Sequence, residues 1–225
     1  MAANTTETSS PTNPATTQGD PFAGLPPIFR EAVSDFVGSA KYAIDTPFIQ
    51  GENVYATDGI LAVWYPLAAL RSEPHPVWSD VSKERPTVTG LFETHGPFAP
   101  EFHSLPDPSP YAETCKVCEG TGSTSHCIQC EMSFGKGIMI PCQACDGTCR
   151  TFPEGGMRVG RAILGLYYLD MLRRHGVAAV RIAADETKPA AAYIARPLWS
   201  GLLMPLQPDS GAVEDGTDIP ENGKD

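Results

Sequence analysis

All seven cysteines of this chain fall between Cys115 and Cys149, and six of them form three C-x2-C pairs: Cys115/Cys118, Cys127/Cys130 and Cys142/Cys145. A C-x2-C turn sets two thiolates where a single Zn2+ can bind both, and two such turns complete a tetrahedral four-sulfur site. No other feature narrows the fold as much. It predicts a metal-bound module over residues 113–152, because clustered cysteines in a reducing compartment favour metal over disulfides. The odd cysteine, Cys149, fits a metal ligand or a free thiol better than complete disulfide pairing. A closed four-thiolate site leaves no position for water, so its expected role is structural and no catalytic residue is assigned.

The rest of the chain divides around that module. Residues 1–24 are Thr, Ser, Asn, Pro and Ala with almost no large apolar side chains, a composition that predicts disorder. Residues 208–225 carry Asp209, Glu214, Asp215, Asp218, Glu221 and Asp225 and read as an acidic tail. Between them, residues 25–112 and 153–207 show the same order of elements. Pro26-Pro27 starts a helix with apolar positions Ile28, Phe29, Ala32, Val33, Phe36 and Val37, stopping at Gly38. Strands are predicted at Lys41–Phe48, Val54–Ala56 and Ile60–Tyr65, with Thr57-Asp58-Gly59 as a turn. The second copy predicts a helix over Val159–Arg174, ended by Gly176, then strands at Ala178–Ala183, Ala190–Ala195 and Leu202–Leu206. The connection from Pro66 to Pro110 is Pro-rich, with a strand expected at Thr87–Phe92; His75, His95 and His103 in it share no ligand spacing and read as loop or surface residues.

Two resemblances follow from these residues. Asn53-Val54-Tyr55-Ala56-Thr57-Asp58-Gly59-Ile60-Leu61-Ala62-Val63 resembles the ATDG-x-x-L-A-V hairpin of the bacterial DNA sliding clamp, with one residue fewer between Gly59 and Leu61. Tyr168-Leu169-Asp170-Met171-Leu172 and Gly201-Leu202-Leu203-Met204-Pro205-Leu206 are similar to that family's last helix and closing strand. The resemblance implies an α+β fold: one DNA-clamp-like domain of two helix-plus-three-strand halves, carrying a small zinc-binding insert. A clamp ring uses six such domains, and this chain has room for one. The resemblance further implies that Arg158, Arg161, Arg173 and Arg174 face DNA phosphates, and that Met204, Pro205 and Leu206 border a pocket for partner peptides. Read without it, the same arginines are solvated helix ends, and Met204 to Leu206 are a buried edge strand.

The cysteine region carries the second resemblance. Cys115-Lys116-Val117-Cys118-Glu119-Gly120-Thr121-Gly122 resembles the C-x2-C-x-G-x-G repeat of the DnaJ-type zinc domain. Cys142 to Cys149 is similar to its last repeat, with Cys149 in place of the final Gly. The resemblance implies that first and last repeats share one ion, making Cys115, Cys118, Cys142 and Cys145 one site. Cys127 and Cys130 then need two more ligands, for which Cys149 and His126 are candidates. Alternatively Cys127/Cys130 pair with Cys142/Cys145 in a ribbon. One or two Zn2+ ions are compatible with these ligands.

The function expected is that of a non-enzymatic sliding-clamp-like accessory protein binding DNA or DNA-replication proteins. The alternatives are a DnaJ-like module binding non-native or partner polypeptides, or a clamp mimic that occupies clamp-binding partners. A net charge of −11 argues against a generic basic nucleic-acid coat. No apolar run is long enough to cross a bilayer, and the N-terminal residues do not read as a signal peptide, so a cytoplasmic location is expected.

Overall fold

The structure is a computed structural model, and it describes residues 19–33, 46–78, 88–125, 138–142, 144–145 and 147–206. The calls for disordered ends at 1–24 and 208–225 lie mostly or wholly outside these residues, as do Phe36 to Gly38 and the start of the strand expected at Lys41. In chain order the elements are helix α1 (Ile28–Glu31), strands β1 (Phe48–Gln50), β2 (Asn53–Thr57) and β3 (Leu61–Pro66), helix α2 (Val88–His95) and strand β4 (Phe98–Ser104). The cysteine region contributes four two-residue strands: β5 (Glu113–Thr114), β6 (Ser123–Thr124), β7 (Ile140–Pro141) and β8 (Arg150–Thr151). Strands β9 (Gly156–Val159) and β10 (Ala162–Gly165) precede helix α3 (Leu166–Arg174), and β11 (Ala179–Ala183), β12 (Ala192–Ala195) and β13 (Ser200–Leu203) follow it.

The α+β class holds, with sheet dominant. One antiparallel sheet of seven strands runs in the order β1-β2-β3-β13-β12-β11-β4. It is two three-strand meanders joined by their last strands, with Ala62 of β3 opposite Leu202 of β13 and Val63 opposite Gly201, and with β4 added as a seventh strand beside β11. Alternation along the strands sorts the side chains. Val54, Ala56, Leu61, Val63, Val180, Ile182, Ala192, Ile194 and Leu203 enter the main core, where Ile28 and Phe29 of α1 and Leu169, Met171 and Leu172 of α3 are also buried. The other face carries an aromatic row: Phe48 stacks on Tyr55 with centroids 5.7 Å apart, and Trp64 lies 6.3 Å from Tyr193, which lies 5.3 Å from Phe98.

Three expectations are corrected. The segment Val159–Arg174 is not one helix: its first part is the second strand of a β9–β10 hairpin, with Val159 opposite Ala162, and only Leu166–Arg174 is helical. Gly160 decides this. Its φ of +58° does not continue a helix, and a Cβ there would come within 3.0 Å of the His103 ring. The strand expected at Thr87–Phe92 is instead helix α2 from Val88, and the strand that does form, β4, pairs with β11 at the sheet edge. His95 is not a surface residue: it ends α2 and is buried, while His103 lies within β4 opposite Val180.

Candidate metal centre

The cysteine module is closed at its base by β5 pairing with β8 and held at its middle by β6 pairing with β7. Each pairing delivers one cysteine, Cys115 directly after β5 and Cys142 directly after β7. The two turns that follow are near copies. The N–H of Cys142 donates to Gly122 O at 2.9 Å, and the N–H of Cys115 donates to Cys149 O at 3.0 Å. Thr121 N–H donates to Cys118 O at 2.9 Å, and Thr148 N–H donates to Cys145 O at 2.8 Å. Each threonine hydroxyl also bonds the carbonyl of that same cysteine, and bonds Ser123 O or Arg150 O at the exit of its turn.

This repeat explains Cys149. Gly122 sits in the left-handed region with φ +73°, and Cys149, at the equivalent place in the second turn, is there too at φ +70°. The position wants glycine, and a side chain in this conformation costs roughly 1–2 kcal/mol. At Gly122 a Cβ would stand 2.6 Å from Gly147 O and 2.9 Å from Cys149 Sγ, so that position admits no side chain. Its N–H also donates to Cys118 Sγ at 3.3 Å, the amide-to-sulfur bond expected of a knuckle glycine.

The two turns bring Cys115, Cys118, Cys142 and Cys145 together, all buried, with their sulfurs within 4.8 Å of one another. Cys115 and Cys142 sulfurs are 3.8 Å apart, and Cys118 and Cys145 sulfurs 3.7 Å apart. An ion bound tetrahedrally with metal–sulfur bonds of about 2.3 Å sets its ligands about 3.8 Å apart, so the donor set fits a metal ion such as zinc. Without an ion, crowding opposes the ionisation of these thiols unevenly. Burial and the neighbouring sulfurs of Cys118 and Cys142 push Cys145 up to about 12, and burial also raises Cys142. Burial opposes ionisation at Cys118 as well, but N–H groups of Gly122 and Gly120 and the adjacent sulfurs bring it down to about 7. Four thiolates at these separations need a cation between them.

The first and last C-x2-C pairs therefore share the cluster, and the ribbon pairing of Cys127/Cys130 with Cys142/Cys145 does not describe it. His126, Cys127 and Cys130 lie outside the described residues. Cys149 is half-buried and is not one of the four; its Sγ contacts Gly147 O at 3.8 Å.

The arginines expected to face DNA are placed differently from one another. Arg158 is exposed on β9 and Arg161 sits in the β9–β10 turn, neither on a helix. Arg161 is a clasp: its guanidinium donates to Ala183 O at 2.8 and 3.0 Å, to Asp185 O and to Lys188 O at 3.2 Å. Arg173 donates to Leu105 O at 3.1 Å. Arg174 bridges Asp170 at 3.0 Å and Glu31 at 2.9 Å, and Glu31 also meets His175 Nε2 at 2.8 Å. Arg150 bonds the buried Asp170 at 2.8 Å, so an ionic chain runs from the module to α1.

Beyond β13 the chain runs along the hairpin. Met204 N–H donates to Ile60 O at 2.9 Å and Leu206 N–H to Ile163 O at 2.8 Å. Met204 and Pro205 are half-buried, and Leu206 forms one wall of a cavity of about 530 Å3 whose other walls include Phe152, Leu166, Tyr167 and Tyr168. The aromatic walls of this cavity do not follow from the sequence reading, in which Tyr168 enters only as part of the segment similar to the clamp's last helix.

No protein-family model, curated protein or solved structure matches this chain. Among the described residues, no helix is long and apolar enough to cross a membrane.

Proposed function

We propose that this chain is a non-enzymatic, sliding-clamp-like accessory protein that binds a polypeptide of the DNA-replication machinery, with Zn2+ in a structural role. The observation that carries the reading is the cavity beside α3. Its size suits one or two side chains of a partner, and its rings and Leu206 offer apolar surface at the end of the segment that resembles the clamp's peptide pocket. The two joined meanders support a domain of two similar halves. The four-thiolate cluster supports zinc held for structure, since it leaves no ligand position for substrate or water.

Duplex DNA is the less supported partner. The guanidinium groups of Arg161, Arg173 and Arg174 are bonded to carbonyls and carboxylates of the same chain, and the net charge is −11.

The test is binding of purified clamp-loader and replicative-polymerase subunits to the immobilised, zinc-loaded full chain. Binding that Tyr167→Ala and Leu206→Asp weaken at least tenfold supports the reading. No binding by any subunit, or binding that both variants leave untouched, overturns it.

A further inference from the structure

A second cavity, of about 260 Å3, shares the Phe152 and Tyr167 walls of the first. Ala144, Cys145 and Thr148 come from the second cysteine turn, Arg150 and Thr151 from β8, and Asp170 and Arg174 from α3. It adjoins the first cavity along the Phe152 and Tyr167 walls, and it adds three charged side chains, Arg150, Asp170 and Arg174, to a lining that the metal module helps to build.

The charges in it are unevenly committed. Asp170 is buried and accepts from both arginines, Arg150 at 2.8 Å and Arg174 at 3.0 Å. Arg174 is the more committed, since it also bridges Glu31 at 2.9 Å. Arg150 is less so: a guanidinium has five N–H donors, and among the described residues its hydrogen bond goes from Nη2 to Asp170, while its side chain stays 36% exposed. Thr151 lines the same chamber.

We propose that this chamber is a carboxylate subsite, in which the free edge of Arg150 receives an acidic group of the polypeptide whose apolar side chain fills the neighbouring cavity. The proposal rests on the polypeptide-binding reading above. Geometry rather than net charge selects a carboxylate. The charges of Arg150 and Arg174 are matched by Asp170 and Glu31, and Arg150 also acts on Asp107. The site therefore offers hydrogen-bond donors in a planar fork that match the two oxygens of a carboxylate, and no surplus charge for a dianionic phosphate. The subsite also depends on metal, because three of its wall residues belong to the turn that holds Cys142 and Cys145.

The experiment uses the 15N-labelled, zinc-loaded full chain and follows the Arg150 Nε–H and Thr151 amide signals by NMR. N-acetyl-glutamate amide presents a side-chain carboxylate and N-acetyl-glycine a terminal one; N-acetyl-glutamine amide and inorganic phosphate are the comparison probes. Saturable shifts are expected with one or both carboxylates and not with the neutral amide, and the two arms tell which source the site prefers. Arg150→Gln abolishes the response. Thr151→Val, which preserves shape and metal content, weakens it several-fold, and chelation of the metal removes it. Equal response to the neutral amide, tighter saturation by phosphate, or an unchanged response in both variants overturns the proposal. A carboxylate response in a chain that captures no replication subunit refutes the partner reading and leaves the subsite standing.

Discussion

The phenol of Tyr168 on α3 donates to Asp58 Oδ2 at 2.6 Å, across 110 residues of sequence. The same carboxylate accepts from the N–H groups of Ile60 and Leu61 through Oδ1, at 2.8 and 2.7 Å. Asp58 thus shapes its own turn with one oxygen and anchors the second half of the chain with the other. Burial and the Asp58 charge raise the Tyr168 hydroxyl well above its ordinary value, so it remains a donor at any working pH.

Removing that donor isolates the long-range part. Tyr168→Phe should lower stability by about 1.5 kcal/mol, since it leaves a partly buried carboxylate oxygen short of one charged hydrogen bond. Urea unfolding monitored by circular dichroism gives the number. A change below a few tenths would show that water replaces the phenol at no cost.

The left-handed pair in the cysteine module makes opposite predictions at its two members. Cys149→Gly should stabilise the chain by about 1 kcal/mol, relieving a side chain at φ +70° without changing metal content. Gly122→Ala places a methyl 2.6 Å from Gly147 O and should cost roughly tenfold or more in metal affinity. Competition with a chromophoric chelator, together with metal analysis, reads both.

Arg161 should matter to stability first. Arg161→Ala strands the carbonyls of Ala183, Asp185 and Lys188 and should destabilise by about 2 kcal/mol, with amide exchange accelerated over residues 183–189. If the variant instead keeps full stability while losing salt-sensitive DNA affinity, the arginine faces phosphate in solution.

Metal retention should depend on pH in one direction. The loaded site holds thiolates, and protons compete for the same sulfurs. With free Cys118 titrating near pH 7 and Cys145 near 12, each drop in pH below these values weakens the metal's hold. Zinc release at fixed chelator concentration, measured from pH 8 to 5, should rise steadily as pH falls. Flat release would mean that a different donor set holds the ion.

The ionic chain behind the module should fail on the acid side. Burial alone would raise the Glu31 carboxyl, but His175 and Arg174 outweigh it and hold the group below its ordinary 4.5. A depressed acid stabilises the fold above its unfolded-state value and loses that contribution as pH falls through the folded-state value. Wild type should therefore lose stability below about pH 4.5 more steeply than Glu31→Gln, as thermal melts across pH 6 to 3 would record.

Sequence alone was sufficient where the determinant is local. C-x2-C spacing sets two sulfurs side by side, Asp-Gly makes its own turn, and alternation in residues 54–65 and 179–203 reads directly as strands with one buried face. It was insufficient where the determinant is a distant partner. Which cysteine pairs share the cluster is decided by β5 meeting β8 and β6 meeting β7, and these pairings are only two residues long. Val159 to Leu164 suits a helix and a hairpin almost equally by pattern, and the His103 ring against Gly160 admits only the second. The arginines show the same division: their charge is visible in the sequence, but the carbonyls and carboxylates that occupy three of them come from other parts of the chain. Spacing fixes what neighbours along the backbone can do together, whereas the partners of a buried ligand or guanidinium are chosen by the packing that removes them from water.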